Sequence, residues 1–340
     1  MADSTRILVT GAGGFIGHHL VSHLVDRGCW VRGVDIKEPE FELTRAHQFE
    51  VLDLRRWDNC LQATRGVDQV YNLAADMGGM GFISQNHAQI LRNNTLIDMH
   101  VFEAARVNGV QRIFYSSSAC IYPEHLQETV DMRAGLKEED AYPAAPQDAY
   151  GWQKLITERL AKHYADEFGL DTRVARFHNV YGPRGTWIGG REKAPAALCR
   201  KVAEAKVSGS GEIEIWGDGE QTRSFCFIDD CVDGIYRIMQ CDYADPINLG
   251  SEEMVSINEL ADMIGEIAEA PARKRYVDGP QGVRGRNSDN NLMRRLLKWE
   301  PQMSLRQGLA VTYPWIEEQV RAKSKSGGAA AQRDRLAVSG

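Results

Sequence analysis

Short apolar runs alternate with amphipathic stretches through the first half of the chain. Ile7-Leu8-Val9-Thr10 reads as a buried strand, and Phe15–Asp26 as the helix behind it, with Ile16, Leu20 and Leu24 recurring at helical spacing. Residues 29–35, 50–52, 69–73 and 112–116 read as further strands, 147–168 as a long helix and 172–177 as the strand after it. This alternation predicts an α/β protein whose residues 1–180 form a doubly wound parallel sheet. After Tyr181-Gly182-Pro183 the rhythm breaks into a glycine-rich loop at 185–190 and a short strand at 213–216, closed by the turn Gly217-Asp218-Gly219. Residues 181–216 and 250–320 are expected to form a smaller, discontinuous C-terminal lobe. Between them the chain returns to the main sheet around 220–250, with 246–250 as its strand. Ser256 followed by Glu259 predicts a capping box for a helix at 257–269. Residues 323–340, rich in Ser, Gly, Ala and charge, predict a disordered tail.

Composition narrows the partners. The net charge of -7 leaves no basic excess to neutralise phosphates, which argues against a nucleic-acid binder but leaves room for a small anion held by a local Arg and Lys cluster. No apolar run reaches the roughly 18 residues of a membrane span, and Met1 to Arg6 lacks a signal-peptide layout. Seven cysteines without CxxC spacing suggest reduced thiols and a cytoplasmic protein. No HExxH motif or Cys/His cluster offers a metal site.

Gly11, Gly13, Gly14 and Gly17 follow the first strand and open the first helix. Glycines there permit a tight turn and let a pyrophosphate approach backbone N–H groups at the positive helix end, the Rossmann arrangement. Gly11, Gly14, Phe15, Ile16 and Gly17 are therefore candidate cofactor contacts. Asp35 ends the second strand, 18 residues after Gly17, where a carboxylate accepts bonds from ribose hydroxyls and repels a 2′-phosphate. NAD is favoured over NADP, with Lys37 as the one opposing charge nearby. Asp53 and Leu54 are expected to border the adenine, and the small residues Ala74 and Ala75 to let the backbone pass close to the cofactor.

Tyr150 and Lys154 are four apart in a helical stretch, so they share a face. A Lys ammonium beside a phenol favours phenolate and is expected to lower the Tyr150 pKa, while Ser118 can hold a substrate hydroxyl against Tyr150. With Tyr150-Gly151-Trp152-Gln153-Lys154 and the glycine turn, the chain resembles the short-chain dehydrogenase/reductase superfamily in its extended, nucleotide-sugar-modifying branch. The stretches Asn72–Phe82, Ser117–Pro123, Gly190–Ala197 and Gly282–Asp289 look like those of the GDP-mannose 3,5-epimerase family, and the similarity runs from about Arg6 to Gln319. That resemblance implies that Tyr150, Lys154 and Ser118 serve a redox step with NAD and that Cys120 and Lys193 form an acid–base pair. It implies that Gly78, Ser118, Ala119, Cys120, Asn179, Glu192, Lys193, Ala194, Lys201, Gln221, Thr222, Arg223 and Arg286 hold GDP-mannose or a related GDP-hexose. It also implies a homodimer. Lys201, Arg223, Arg284 and Arg286 together supply the cation cluster a diphosphate needs. His178 reads as structural.

The chemistry explains why such a family needs the extra thiol and amine. Hydrogens on C3 and C5 of a hexose are not acidic until C4 becomes a ketone; each carbanion is then an enolate that site dipoles can stabilise. Oxidation at C4, inversion at C5 and C3 by Cys120 and Lys193, and re-reduction would convert GDP-mannose into GDP-L-galactose and GDP-L-gulose, an isomerisation. The resemblance leaves open which of the two is acid or base at each carbon, and the ratio of products. The rival readings are weaker. A GDP-4-keto-6-deoxymannose 3,5-epimerase/4-reductase (GDP-fucose synthase) consumes NADPH, against which Asp35 argues. A UDP-sugar 4-epimerase needs no Cys120, and a 4,6-dehydratase wants carboxylates just after Ser118. A catalytically silent NAD(P)-binding sensor has no reason to keep Ser118, Tyr150, Lys154 and Cys120 together.

Overall fold

The computed structural model describes residues 5–131, 134–280 and 282–338. Strands β1 (Arg6–Thr10), β2 (Trp30–Asp35), β3 (Gln48–Val51), β4 (Gln69–Asn72), β5 (Arg112–Ser118), β6 (Asp171–Phe177) and the segment Ile247–Leu249 form one seven-stranded sheet. Its order is Ile247–Leu249, β6, β5, β4, β1, β2, β3, and every neighbouring pair is parallel. The chain moves outward from β1 to β3, then crosses to β4 on the other side of β1. The strand order therefore reverses between β1 and β4, where a ligand crevice is expected at the carboxyl ends.

Helices cover both faces, so consecutive strand residues are apolar. Ile7, Val9, Tyr71 and Phe114 pack on one side with Leu20, Val21 and Leu24 of α1 (Phe15–Asp26). Leu8, Val34, Val70, Ile113 and Tyr115 pack on the other, with Cys60 and Ala63 of α2 (Trp57–Thr64) beneath them. Each large apolar side chain buried this way contributes about 1.5–3 kcal/mol.

After α3 (Met80–Ile83), a helix the apolar periodicity does not announce, α4 (His87–Val107), completes that second face with Val101, Phe102 and Ala105. Its buried face also carries Asn93, Asn94 and Asp98, which break the pattern. The α5 helix (Ala149–Phe168) is capped by Asp148, whose side chain accepts from the Gly151 N–H at 2.8 Å.

β5 runs two residues beyond the expected Ser116, because Ser117 and Ser118 continue the ladder opposite Arg176 and Phe177 of β6. That extension carries Ser118 to the tip of the sheet. The smaller lobe contains α6 (Ala194–Ser208), the parallel pair Glu212–Trp216 and Arg273–Val277, and a three-stranded sheet in which Thr222–Ser224 lies between Met254–Ser256 and Gly285–Arg286. Residues 222–224 thus belong to this lobe, and the return to the main body starts at Cys226–Phe227, which pairs with Val180–Tyr181. Helix Ile228–Gln240 then packs on α1 before the last strand of the main sheet. The final helix spans Leu305–Val338. Ser339 and Gly340 lie outside the described residues.

The capping box forms as the sequence predicts: Ser256 Oγ accepts from the Glu259 N–H at 3.0 Å, and Glu259 Oε2 accepts from the Ser256 N–H at 2.7 Å. Ser256→Ala orphans the Glu259 N–H and is expected to cost about 1 kcal/mol, read as a lowered urea midpoint at unchanged slope.

Candidate active site

The β1–α1 turn and the ends of β2, β4 and β5 enclose a cleft of about 690 Å³. Its floor is shaped by glycines that admit no side chain. A Cβ on Gly17 would lie 2.1 Å from the Gly11 carbonyl oxygen, and one on Gly13 would lie 2.1 Å from that of Lys37. Gly11 has φ +70°, and a Cβ there would meet the Ala74 nitrogen at 2.9 Å. Close backbone approach at a helix N-terminus suits a pyrophosphate, so the cradle fits a dinucleotide. Asp35 closes the far end, its carboxylate accepting from the N–H groups of Gly13 (3.0 Å), Ile36 (2.6 Å) and Lys37 (3.3 Å). Burial pushes its pKa up, against those bonds. Asp53 is held below the usual carboxylate range by Arg55, which pairs with it at 2.8 Å. Every cofactor position expected from the sequence lines this cleft, from Gly11, Phe15 and Ile16 through Asp35, Leu54, Ala74 and Ala75 to Tyr150 and Lys154. Thr10 was not anticipated: its Oγ1 accepts from the N–H groups of Leu73 and Ala74 at 3.0 and 3.1 Å and so fixes the cradle wall.

At the inner end of this cleft α5 abuts the turn after β5. A Cβ on Gly151 would sit 2.2 Å from the Cys120 carbonyl oxygen, so only glycine allows the approach. The contact sets Tyr150 beside the Ser118 side chain on the wall of the cleft. Ser118 Oγ in turn caps the turn by accepting from the Cys120 N–H at 3.1 Å. Lys154 Nζ donates to the Ser116 carbonyl at 2.7 Å and lies 5.7 Å from the Tyr150 ring centre. The phenol is not lowered as the Tyr–Lys spacing suggested: burial, reinforced by Cys120, raises the Tyr150 pKa. Burial likewise lowers Lys154, opposed by Asp98 and Glu158. In both groups removal from water outweighs the neighbour.

Beyond Ser118 lies a second chamber of about 250 Å³, sharing Gly78, Ser118, Phe177 and Lys193 with the first. Arg286 directs one guanidinium nitrogen to Cys120 Sγ at 3.2 Å, while its Nε donates to Gln127 Oε1 at 2.5 Å. Lys193, at the N-cap position of α6, faces Cys120 and Cys231; burial, reinforced by Arg286, depresses its pKa. Arg223 is drawn down to about 9 by burial and by Arg286. Lys201 Nζ donates to the Glu214 carbonyl at 2.7 Å. Asn179 holds the Ser224 carbonyl at 3.1 Å, and Gln221 donates to the Trp216 carbonyl at 3.2 Å while its Oε1 stays unpartnered. Glu192 accepts from the Gly190 N–H at 2.7 Å and from Arg200 at 3.1 Å. These residues, with Ala119 and Ala194, all line the chamber.

Two expected residues do not join them. Thr222 is absent from the lining; its hydroxyl donates to the Val130 carbonyl at 2.7 Å. Arg284 forks onto Asp218 at 3.0 and 3.1 Å. Trp216, Arg200 and Gln127 were not anticipated. His178 is fully buried against Asn248 Oδ1 at 3.0 Å, with its pKa lowered to about 3, which suits a structural role. Among the described residues no group of His, Cys, Asp and Glu stands together to hold a metal ion.

A glycine-floored dinucleotide cleft that opens on Ser118, Tyr150 and Lys154 defines a nicotinamide-dependent enzyme of the short-chain dehydrogenase/reductase type. The profile of the NAD dependent epimerase/dehydratase family matches residues 7–250. The sequence is 52% identical over 328 residues to GDP-mannose 3,5-epimerase 1 of Oryza sativa subsp. japonica, covering 96% of this chain and 85% of that protein. Among solved structures, UDP-glucose 4-epimerase from Thermotoga maritima superposes with a TM-score of 0.83 at 26% identity, over 93% of this chain and all (100%) of that one. UDP-glucuronic acid 4-epimerase from Bacillus cereus, solved with UDP-glucuronic acid and NAD, superposes at 0.80 with 27% identity over 93% of this chain and 100% of that one. The chain belongs to the NAD dependent epimerase/dehydratase family and, within it, to the GDP-mannose 3,5-epimerases.

Gly17→Ala forces the Gly11 carbonyl to move, a shift that costs about 1–3 kcal/mol. The expected result is NAD affinity lowered about tenfold or more by calorimetric titration, with an unchanged far-ultraviolet spectrum.

Proposed function

We propose that this protein epimerises GDP-mannose at C3 and C5 through a 4-keto intermediate, giving GDP-L-galactose and GDP-L-gulose. The observation that carries this reading is the Arg286 guanidinium on Cys120 Sγ at 3.2 Å, with Lys193 facing the same thiol. Burial makes the Lys193 ammonium give up its proton more readily. Simple oxidation of an alcohol has no use for such a pair.

Bound NAD would supply a reversible two-electron acceptor. Ser118 and Tyr150 hold the C4 hydroxyl, and Tyr150 takes its proton as the ketone forms. Lys154, protonated beneath Tyr150, offsets the phenolate. With C4 a ketone, one of Cys120 and Lys193 removes the C5 proton and the other delivers one to the opposite face; C3 is inverted by the same pair. Arg223 and Lys201 hold the diphosphate. Beside burial, the like charge of Arg286 depresses both Arg223 and Lys193, which supports this because a polyanion relieves that repulsion.

The reading extends to assembly and setting. Leu96 and Met99 of α4 and Trp152 and Ile156 of α5 are exposed apolar residues on two helices packed side by side, which supports a homodimer through that pair. Free thiols at all seven cysteines and a net charge of -7 support a cytoplasmic enzyme that works without membrane or nucleic acid.

Incubation with GDP-mannose and NAD in D₂O is expected to place deuterium at C5 and C3 without net NADH. Cys120→Ala should slow exchange at C5 by about 10²–10⁴-fold while NAD still binds. Exchange at the parental rate removes Cys120 from the chemistry, and turnover of a different nucleotide sugar in its place removes the substrate assignment.

A further inference from the structure

Asp98 lies on the buried face of α4 and is 1% exposed. Its carboxylate faces four donors: Asn72 Nδ2 at 2.9 Å on Oδ1, and on Oδ2 the Tyr115 hydroxyl (2.9 Å), Gln153 Nε2 (2.7 Å) and the Thr157 hydroxyl (3.1 Å), whose one proton is shared with the Gln153 carbonyl at 3.2 Å. None of these donors is a cation. The first bond has a fixed direction. Thr10 Oγ1 already accepts from two N–H groups, so its proton goes to Asn72 Oδ1 at 2.8 Å, which leaves the Asn72 nitrogen to donate to Asp98. Four donors match the accepting capacity of an ionised carboxylate.

The Tyr115 ring links this anion to the redox site. Its hydroxyl is on Asp98, and its face lies 4.7 Å from Lys154 Nζ. The groups facing Lys154 are Asp98, Glu158 and Cys120, with the rings of Tyr115 and Tyr150. Glu158 is already paired, since Arg176 forks onto both its oxygens at 2.9 and 2.8 Å and Ser117 donates to it. Cys120 accepts from Arg286. The groups facing Asp98 and its hydrogen-bond partners are Lys154, Tyr115 and Tyr150. Asp98 is thus the carboxylate near Lys154 whose charge an arginine does not balance.

We propose that Asp98 is the buried counter-charge of Lys154, a positioning residue set across the Tyr115 ring from the amine that favours its ammonium form. Burial lowers the Lys154 pKa and Asp98 raises it; burial also pushes the Asp98 carboxyl up, opposed by Lys154 and by the hydrogen bonds it accepts. Deleting the negative charge therefore leaves a lower Lys154 midpoint, and the ammonium is lost at lower pH. The effect on turnover rests on the reading of Lys154 as the partner of Tyr150; the effect on Lys154 does not.

The test is a pH titration of the full-length protein labelled with ¹³C-lysine, followed by NMR without cofactor or substrate, with the Lys154 signal assigned by its loss in Lys154→Arg. The wild-type amine should be protonated at neutral pH. In Asp98→Asn its midpoint should fall by about one pH unit or more, and the basic limb of the kcat profile should move to lower pH by the same amount. A purely structural role lowers the melting temperature and leaves the midpoint in place, which overturns the proposal. A neutral Lys154 at pH 7 in the wild-type protein overturns it without any variant, so the test survives if Asp98→Asn fails to fold. A shifted midpoint in a protein that does not turn over GDP-mannose supports the role of Asp98 and contradicts the proposed function instead.

Discussion

A backbone carbonyl occupies the space where residue 151 would carry a Cβ, and the geometry of the site follows from that contact. Because Gly151 lets α5 settle onto the turn after β5, Tyr150 reaches Ser118 and Lys154 reaches the Ser116 carbonyl. The same turn delivers Cys120 to the chamber on the other side of Ser118. Redox residues and the thiol are thus fixed relative to each other by one helix-on-turn contact. In the proposed reaction, a sugar held at Ser118 by its C4 hydroxyl presents its neighbouring carbons to Cys120 and Lys193 without moving between sites.

Electrostatics in the site run against the ease of each group's charged state. Burial raises Tyr150 and lowers Lys154, Lys193 and Arg223. Such a site is poised for ligands that bring the missing charge: a diphosphate toward Arg223 and Lys201, a cationic ring toward Tyr150. In the proposed reaction a diphosphate at the chamber relieves the repulsion among these cations.

Much of this was legible in the chain because its signals are local. The glycine turn, Asp35, the Tyr150–Lys154 spacing and the Ser256 capping box each need only a few consecutive residues, and the structure has each where the spacing put it. The second chamber is assembled from α6, the segment around 221–223 and Arg286, which no periodicity connects; only resemblance to a family named them. That transfer took Thr222 along with its neighbours, although alternation along a strand sends it to the opposite face from Gln221 and Arg223. Asp98 escaped for the reason α4 did: buried Asn and Asp side chains erase the apolar stripe by which a buried helix is read. The Tyr150 pKa was misjudged because spacing reveals a neighbouring charge but says nothing of lost water.

The proposed reaction runs through a ketone that exists only while the sugar is bound. GDP-mannose carrying deuterium at C4, converted in ordinary water and examined by NMR of the products, tests that directly. Retention of the label at C4 together with protium from solvent at inverted C5 and C3, seen against substrate deuterated at those carbons, is the result expected of a hydrogen removed and returned within one closed site. Loss of the C4 label to solvent, or inversion at C5 with its original hydrogen still in place, would contradict it.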